Sequence, residues 1–451
     1  MKMRLIAVMI VFTFVVQPCT YSEDSARIKS LVEEVRLCGG EADIRRPASD
    51  VNTYIGVQFK NMELPIETVT KLSKMKEVIE IDIDNVVLSP ESWAVVGKMR
   101  QIQQLFIRYS EREVSQTIMS AIVGMPQLYW LSIESPSIPL EALDKAVSPL
   151  DKLIFLRISG CTLSPNGCGA ILRQCPKIEE MELEKVVADM DAISRLSTLP
   201  NLKSLNVNSS QLPAKWLGLL SRSVMLRELT LESNGVRDSD LALLASCPGL
   251  RRLYVTEGLC SFTTIDRVGQ LSSLWIASED NLDSALNDDG MAAIARLKNL
   301  KELSIRDAKM VTDRGLAALK ALNKLEHLDV FLLGGTSNGI SQMLDITTLR
   351  EVSLWSVKWS DDCARKIAAL TNLTELDLSS VYVEDASLRL IAASKNLSNL
   401  SRLHLTHVTD NGLVMLSEMK SLRRLSIGQG YSKDGIRRFK MAAPQCVVHE
   451  A

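Results

Sequence analysis

Four histidines in 451 residues, none set in a His-Glu-x-x-His spacing, leave little for metal or acid–base chemistry. Gly-x-Ser-x-Gly, Gly-x-Gly-x-x-Gly and Walker-type loops do not occur, which removes the usual nucleophile, dinucleotide and phosphate-cradle signatures. Nine cysteines include no Cys-x-x-Cys, so the strong zinc and thioredoxin-like signals are missing too. Positive charge is not in surplus: 52 Lys and Arg face 54 Asp and Glu, for a net charge of -2. Nothing in that balance draws the chain onto nucleic acid or an anionic membrane. Beyond the opening residues, no apolar run approaches the ~18 residues of a membrane span. These absences predict a protein that is not an enzyme, carries no cofactor or metal, and has no nucleic-acid partner.

What is present begins with an expected export signal over residues 1–22. Lys2 and Arg4 supply its positive start, and Leu5 to Val16 supply an apolar core too short to span a bilayer comfortably. Thr20-Tyr21-Ser22 offers small residues for cleavage. Lipid anchoring at Cys19 is disfavoured, because Val16-Gln17-Pro18 is not the small-residue box of a lipoprotein signal. The mature chain is expected outside the cytoplasm, as a periplasmic, cell-surface or extracellular protein. Its 46% apolar and 24% charged residues are ordinary for a soluble globular protein.

The stretch Leu300-Lys301-Glu302-Leu303-Ser304-Ile305 reads as a half-buried strand. A helix follows, with Thr312 or Asp313 as its cap and Leu316, Leu319 and Leu322 on one side. Leu325 then restarts the pattern. A unit of about twenty-five residues cannot bury its own apolar face, so copies must stack beside it. The hexad apolar-x-x-apolar-x-apolar indeed recurs sixteen times, opening at Tyr54, Val78, Ile102, Leu128, Leu153, Ile178, Leu202 and Leu226. It continues at Leu250, Leu271, Leu300, Leu325, Leu349, Leu373, Leu400 and Leu422.

On these residues the chain resembles leucine-rich repeat proteins. Val311-Thr312-Asp313-Arg314-Gly315-Leu316, Val408-Thr409-Asp410-Asn411-Gly412-Leu413 and Val236-Arg237-Asp238-Ser239-Asp240-Leu241 narrow the likeness. They are similar to the repeats with a helical convex face found in secreted bacterial members and in F-box substrate receptors, although no F-box is present. The resemblance implies an α/β solenoid, a right-handed horseshoe with a parallel β-sheet on its concave side and helices outside. It also implies a non-catalytic scaffold. The expected domains are a signal over 1–22, a capping helix and linker over 23–50, the solenoid over 51–430 and a C-terminal cap over 431–451. Where the repeat consensus favours Asn at the ninth position, this chain has Val86, Ser110, Cys161, Val186, Val357, Val381 and Val408, with Asn234 a rare match. That departure puts the regularity of the turns in question.

Cys161, Cys168 and Cys175 recur every seven residues and are close enough for one bridge, but the positions of the cysteines favour buried structural thiols. Four steps of the repeat are irregular, Leu250 to Leu271 to Leu300 and Leu373 to Leu400 to Leu422. The longest holds residues 278–290, where Asp288 or Asp289 is expected to cap the next helix. The calcium-loop pattern is not met there. Near the end, a helix over about 434–441 and a strand at Pro444–Val448 are expected to close the stack, with Cys446 in phase with Leu422.

In each hexad the first, fourth and sixth residues build the core, and the third, fifth and seventh face the concave side. Read alone, those columns bring together Phe106, Trp130 and Phe155, then Tyr254 with Trp275, then Phe331 and Trp355 with His327 nearby. Glu180, Glu182 and Glu184 form an acidic column, with Glu228 and Glu232 two repeats on. Exposed aromatics beside charge are what protein and glycan contact surfaces use. They also stabilise a sheet by cross-strand packing. The expected function is binding of a protein partner on the concave face, and the alternative is a polysaccharide- or envelope-binding module. His327 and His404 are three repeats apart, ~14 Å, too far for a shared metal. Asp82, Asp84, Asp329 and Asp377 are expected to be left to solvent on an open sheet, unsuited to acid–base work.

Overall fold

Most hexads become strands from their third residue onward, the first two from their first residue, and the register keeps their cores in phase. The computed structural model describes residues 32–33, 35–37, 39–45, 54–145, 149–256, 260–278, 285–331 and 333–450. The export signal with Cys19, the first part of the opening helix and residues 279–284 of the acidic loop lie outside these. Two compact units divide the chain, Met1–Leu202 and Lys203–Ala451.

In the first unit, strands Tyr54–Lys60, Val78–Asp84, Gln104–Arg108, Trp130–Glu134, Phe155–Ser159 and Glu180–Glu184 pair in parallel. Fourth hexad residues align as Ile81, Leu105, Leu131, Leu156 and Met181, and all are buried. The described part of the opening helix buries Val32 and Val35, and Gly39 ends it at φ +85°. A linker is expected after it. Instead Glu41–Arg45 is a strand, antiparallel to Tyr54–Lys60. Phe59 explains why Gly40 begins it, since a Cβ there would lie 2.4 Å from the Phe59 ring.

In the second unit, strands run in parallel from Ser204–Asn208 to Val447–Glu450. The irregular steps do not disturb the register, because Leu253, Leu274 and Leu303 still align, as do Leu376, Leu403 and Leu425. Extra or missing residues are taken up on the connections. The closing helix spans Lys433–Ala442. The closing strand is one residue out of the expected phase: Val448 pairs with Leu425, so Gln445 and not Cys446 matches Leu422. Among the described residues no helix is long and apolar enough to cross a membrane.

In nine repeats the turn keeps one backbone form without depending on a ninth-position Asn. Asn61, Asn85, Lys185, Ser209, Ser233, Asp307, Ser356 and Ser380 all have positive φ, and Gly160 joins them at φ +82°. Each is the eighth residue of its repeat, so a left-handed residue turns the chain at that point whether or not an Asn follows it. Val86, Cys161, Val186 and Val381, each following one of these residues, are buried core residues, and so is Val408. Asn234 keeps the usual role: its Oδ1 accepts from the Ser210 N–H at 2.9 Å and its Nδ2 donates to the Val207 carbonyl at 2.8 Å.

A second ladder runs along the helix starts. Thr312 caps the helix Asp313–Ala318, its hydroxyl accepting from the Arg314 N–H. Asp288, the first helical residue of the repeat before, accepts from the Thr312 N–H at 2.8 Å, the Thr312 hydroxyl at 2.6 Å and the Gly315 N–H at 3.1 Å. Asp313 does the same for Thr336, and Asp410 for Ser432. The expected cap of the acidic loop is therefore corrected. Asn287 caps its own helix, accepting from Asp289 and Gly290, while Asp288 serves the next one. The same contact explains the motif's glycine. A Cβ at Gly315 would sit 2.5 Å from Asp288 Oδ1, and one at Gly339 2.4 Å from Asp313 Oδ1.

All seven described cysteines are buried, and none of them is in a disulfide. Burial pushes the thiols of Cys168 and Cys175 up to about 12 and that of Cys161 to about 11. They are core side chains, and the bridge allowed for among these three does not form.

Candidate functional site

Fourth and sixth hexad residues are buried, whereas every aromatic singled out in the third, fifth and seventh columns is half-buried. In the first unit Trp130 and Phe155 are register partners, with ring centroids 3.7 Å apart and planes 15° from parallel. Phe106 pairs with Ser132 in register, but its ring still lies 6.4 Å from Trp130, tilted by 40°. The three rings thus form a row. Gln104, beside Trp130 in the third column, donates to the Tyr129 hydroxyl at 2.7 Å. The Trp130 Nε1 is buried and has no hydrogen-bond partner among the described residues. A buried donor left unpaired costs on the order of 1–3 kcal/mol, which the ring stacking must offset.

The acidic column beside this row is not a bare one. Arg157, in register with Glu182, lies 3.4 Å from it and bonds Glu184 as well. Burial works to raise the Glu184 carboxyl, yet the Arg157 hydrogen bond and charge, helped by Lys185, hold it below the ordinary range. Glu180 is exposed and aligned with Phe155. Arg157 was legible as the fifth residue of its hexad, but a search for aromatics and carboxylates passes over it. Asp82 and Asp84, expected to be solvated, are likewise engaged. Asp82 takes hydrogen bonds from Gln58 at 2.9 Å and Arg108 at 2.8 Å, and Asp84 an ion pair with Lys60 at 3.2 Å.

In the second unit Tyr254 and Trp275 are register partners with centroids 5.5 Å apart, tilted by 52°. Burial raises the Tyr254 hydroxyl, and the nearby Glu228 and Glu302 charges add to that against Arg252. Arg252 is itself held by Glu228 at 2.6 Å. Phe331 and Trp355 are also register partners, in the seventh column. His327 stands opposite Glu351, its Nδ1 3.0 Å from the carboxylate. His404 and Arg402 both reach Glu375, at 3.6 and 2.9 Å. Asp329 accepts from Ser304 at 2.9 Å and Arg306 at 3.2 Å, and Asp377 accepts from the Ser379 N–H at 2.8 Å. The histidines are three strands apart and in different columns, so they share no ligand. Among the described residues no group of three His, Cys, Asp or Glu is placed to hold a metal ion.

Hexads on successive parallel strands, a register that shifts at Ile55/Gly56 and otherwise keeps the fourth and sixth residues aligned within each unit, and a helix or 3-10 turn on most connections identify the architecture. The fold is that of a leucine-rich repeat protein. No family model matches the chain, and no curated protein does either. Solved structures similar to it include an internalin from Listeria monocytogenes, 16% identical over 83% of this chain and 94% of that one, with a TM-score of 0.42. A leucine-rich repeat protein of Leptospira interrogans is also 16% identical, over 84% and 91%, at a TM-score of 0.42. Rad7, solved in complex with Elc1 in yeast, is 14% identical over 95% and 98%, at a TM-score of 0.46.

Two features of this leucine-rich repeat surface escaped the sequence reading. Tyr382, 68% exposed, lies against His407 with centroids 5.4 Å apart. It sits past the seventh position, outside the columns that were read. Arg227, Arg251 and Arg423, each second in its hexad, donate to carbonyls of the preceding turn. They are builders of the turn and not part of the open face.

Proposed function

We propose that this chain is a non-catalytic, exported scaffold that binds a protein partner on the strand face opposite its helices. The residues that carry it are Phe106, Trp130, Phe155, Glu180, Glu182 and Glu184 in the first unit. In the second they are Tyr254, Trp275, His327, Phe331 and Trp355. The observation that supports this most is the half-buried row Phe106, Trp130 and Phe155, with Arg157 and its two glutamates alongside. Aromatic anchors ringed by charge are the pattern of protein contact sites. The row also bears on the polysaccharide alternative. A sugar ring stacks on an aromatic face, and here Trp130 and Phe155 cover a face of one another at 3.7 Å. The exposed rims that remain suit side chains of a protein better than a pyranose. The residues opening the chain, Lys2 to Ser22, motivate export, followed by a capping segment, the repeats and a closing cap over 431–451.

Affinity capture from an envelope fraction, read by mass spectrometry, tests the reading. Trp130→Ala or Trp275→Ala should remove the captured protein while circular dichroism stays unchanged. Loss of retention on polysaccharide resin instead, with protein capture intact, would transfer the function to the alternative. Unaltered binding in both assays would refute the strand-face site.

A further inference from the structure

Resting on the strand-face reading above, we propose that the open face of the second unit, from Glu302 to Arg402, grips a Lys/Arg-rich segment of its partner. We further infer that His327 and His404 loosen that grip when they take up protons. The charges of this stretch are uneven. Its third and fifth columns carry Glu302, Asp329, Glu351, Glu375 and Asp377, against Arg402 and the seventh-column Arg306. Arg306 is engaged by Asp329 at 3.2 Å and Arg402 by Glu375 at 2.9 Å. Glu351 lies 3.9 Å from Arg402, and neither Glu302 nor Asp377 has a cation within ion-pair distance among the described residues. Carboxylates therefore remain for a cationic visitor, and complementary charge sets both its approach and its register. On the neighbouring rim Lys301 and Arg350 are held by Glu326, at 3.1 and 3.4 Å.

A separate observation points to a ligand at the same face. Ser273 lies in the third column between Arg252 and Glu302, is 2% exposed, and its Oγ has no hydrogen-bond partner among the described residues. Buried hydroxyls are normally bonded, so a partner's ammonium or guanidinium reaching the floor beside Glu302 would satisfy it. Trp275 and Trp355 flank the strip half-buried, suited to the aliphatic stems and charged heads of Lys and Arg.

The histidines set how much of this charge is available. His327 faces Glu302 and Glu351 on the strands either side, with Asp329 two residues along its own. His404 faces Asp377 on one side and Ser426 on the other, with Glu375 and Arg424 diagonal on those two strands and Arg402 on its own. His327 is therefore set among carboxylates, whereas His404 has carboxylates on one side and arginines on the other. A protonated imidazole turns its contact with Glu351 or Glu375 into an internal ion pair, and the carboxylate is withdrawn from the partner.

Fluorescence anisotropy of labelled peptides with the full chain tests this. A Lys/Arg-rich peptide should bind at about pH 7.5 and weaken about three- to tenfold at about pH 5.5. An Asp/Glu-rich peptide of equal length should not bind. Glu375→Gln with Asp377→Asn should weaken the basic peptide by a similar factor, while Glu384→Gln with Glu418→Gln, outside the strands, should not. His327→Gln with His404→Gln should keep binding at the higher pH and lose the pH effect. Equal binding of both peptides, or a pH effect that survives the double histidine change, overturns the proposal. If Trp275→Ala abolishes partner capture yet the basic peptide never binds, this proposal fails while the strand-face site stands. Should capture be indifferent to Trp275→Ala, that earlier reading is the one that falls.

Discussion

Asp313 accepts two hydrogen bonds from one residue of the next repeat, the Thr336 N–H and the Thr336 hydroxyl, each at 2.6 Å. One carboxylate thus fixes the cap of a helix that does not contain it. Replacing Asp313 by Ala should lower unfolding free energy by about 1 kcal/mol, the scale of a lost helix cap. Urea unfolding followed by circular dichroism measures it, and a change within error of zero would mean that the ladder contributes nothing to stability.

The same carboxylates give the fold an acid limit. The Thr336 bonds hold Asp313 below its ordinary 3.8, and at Asp288 the Thr312 and Arg314 contacts outweigh the burial that works to raise it. A depressed folded value means the unfolded chain binds more protons in that range, so stability rises with pH. The contribution is complete above the ordinary carboxylate value and is lost as pH falls through the depressed one. Urea midpoints should therefore be insensitive to these groups near neutrality and drop below about pH 4. Asp313→Asn should flatten that drop.

Glycine substitutions should divide by sign. At Gly315 or Gly339 an added Cβ meets a carboxylate oxygen of the ladder, and Ala should destabilise by about 1–3 kcal/mol despite its better helix propensity. At Gly218 the nearest atom to a Cβ is Leu243, at 3.7 Å. Ala there should be neutral or stabilise by about 0.5–1 kcal/mol. Paired thermal melts decide the matter, and equal signs at the two kinds of site would contradict the ladder's packing.

Trp130 and Phe155 should be energetically coupled. A double-mutant cycle with Trp130→Leu and Phe155→Leu is expected to give about 0.5–1.5 kcal/mol, the scale of a stacked aromatic pair. Additive effects would show that the rings are neighbours without a mutual contribution.

The thiols should be silent in the native protein. Iodoacetamide at neutral pH should leave Cys161, Cys168, Cys175 and Cys247 unmodified until denaturant is added, because thiolate is scarce and access blocked. Peptide mass spectrometry reads each site, and native labelling of Cys168 would contradict its placement in the core.

Much of this was legible in the hexads. Leu303 and Ile305 face the core because strand side chains alternate, and a fixed phase over sixteen copies leaves few other ways to bury them. Column reading placed Trp130 beside Phe155 and Tyr254 beside Trp275 for the same reason. What it did not yield depends on contacts between repeats that no single repeat encodes. The partnership of Asp288 with Thr312, or of Arg157 with Glu184, is set by where two side chains end and not by spacing along the chain. The strand Glu41–Arg45 was hidden because its alternation is only five residues long, with Ala42 and Ile44 as its apolar members, and it carries no hexad. The left-handed eighth residues carry a turn signal in Asn61, Asn85, Gly160, Asp307 and four serines, and Lys185 alone among them carries none.

Because each carboxylate of the ladder points only forward, from Asp288 to Thr312 and from Asp313 to Thr336, the second unit has a grain. A repeat that has folded presents the acceptor its successor needs, whereas a repeat in isolation cannot prepare its predecessor. That direction is the one in which a ribosome delivers the chain. Consolidation of the helix starts can keep pace with synthesis, and peeling from the C-terminal end removes one rung at a time while leaving those behind it intact.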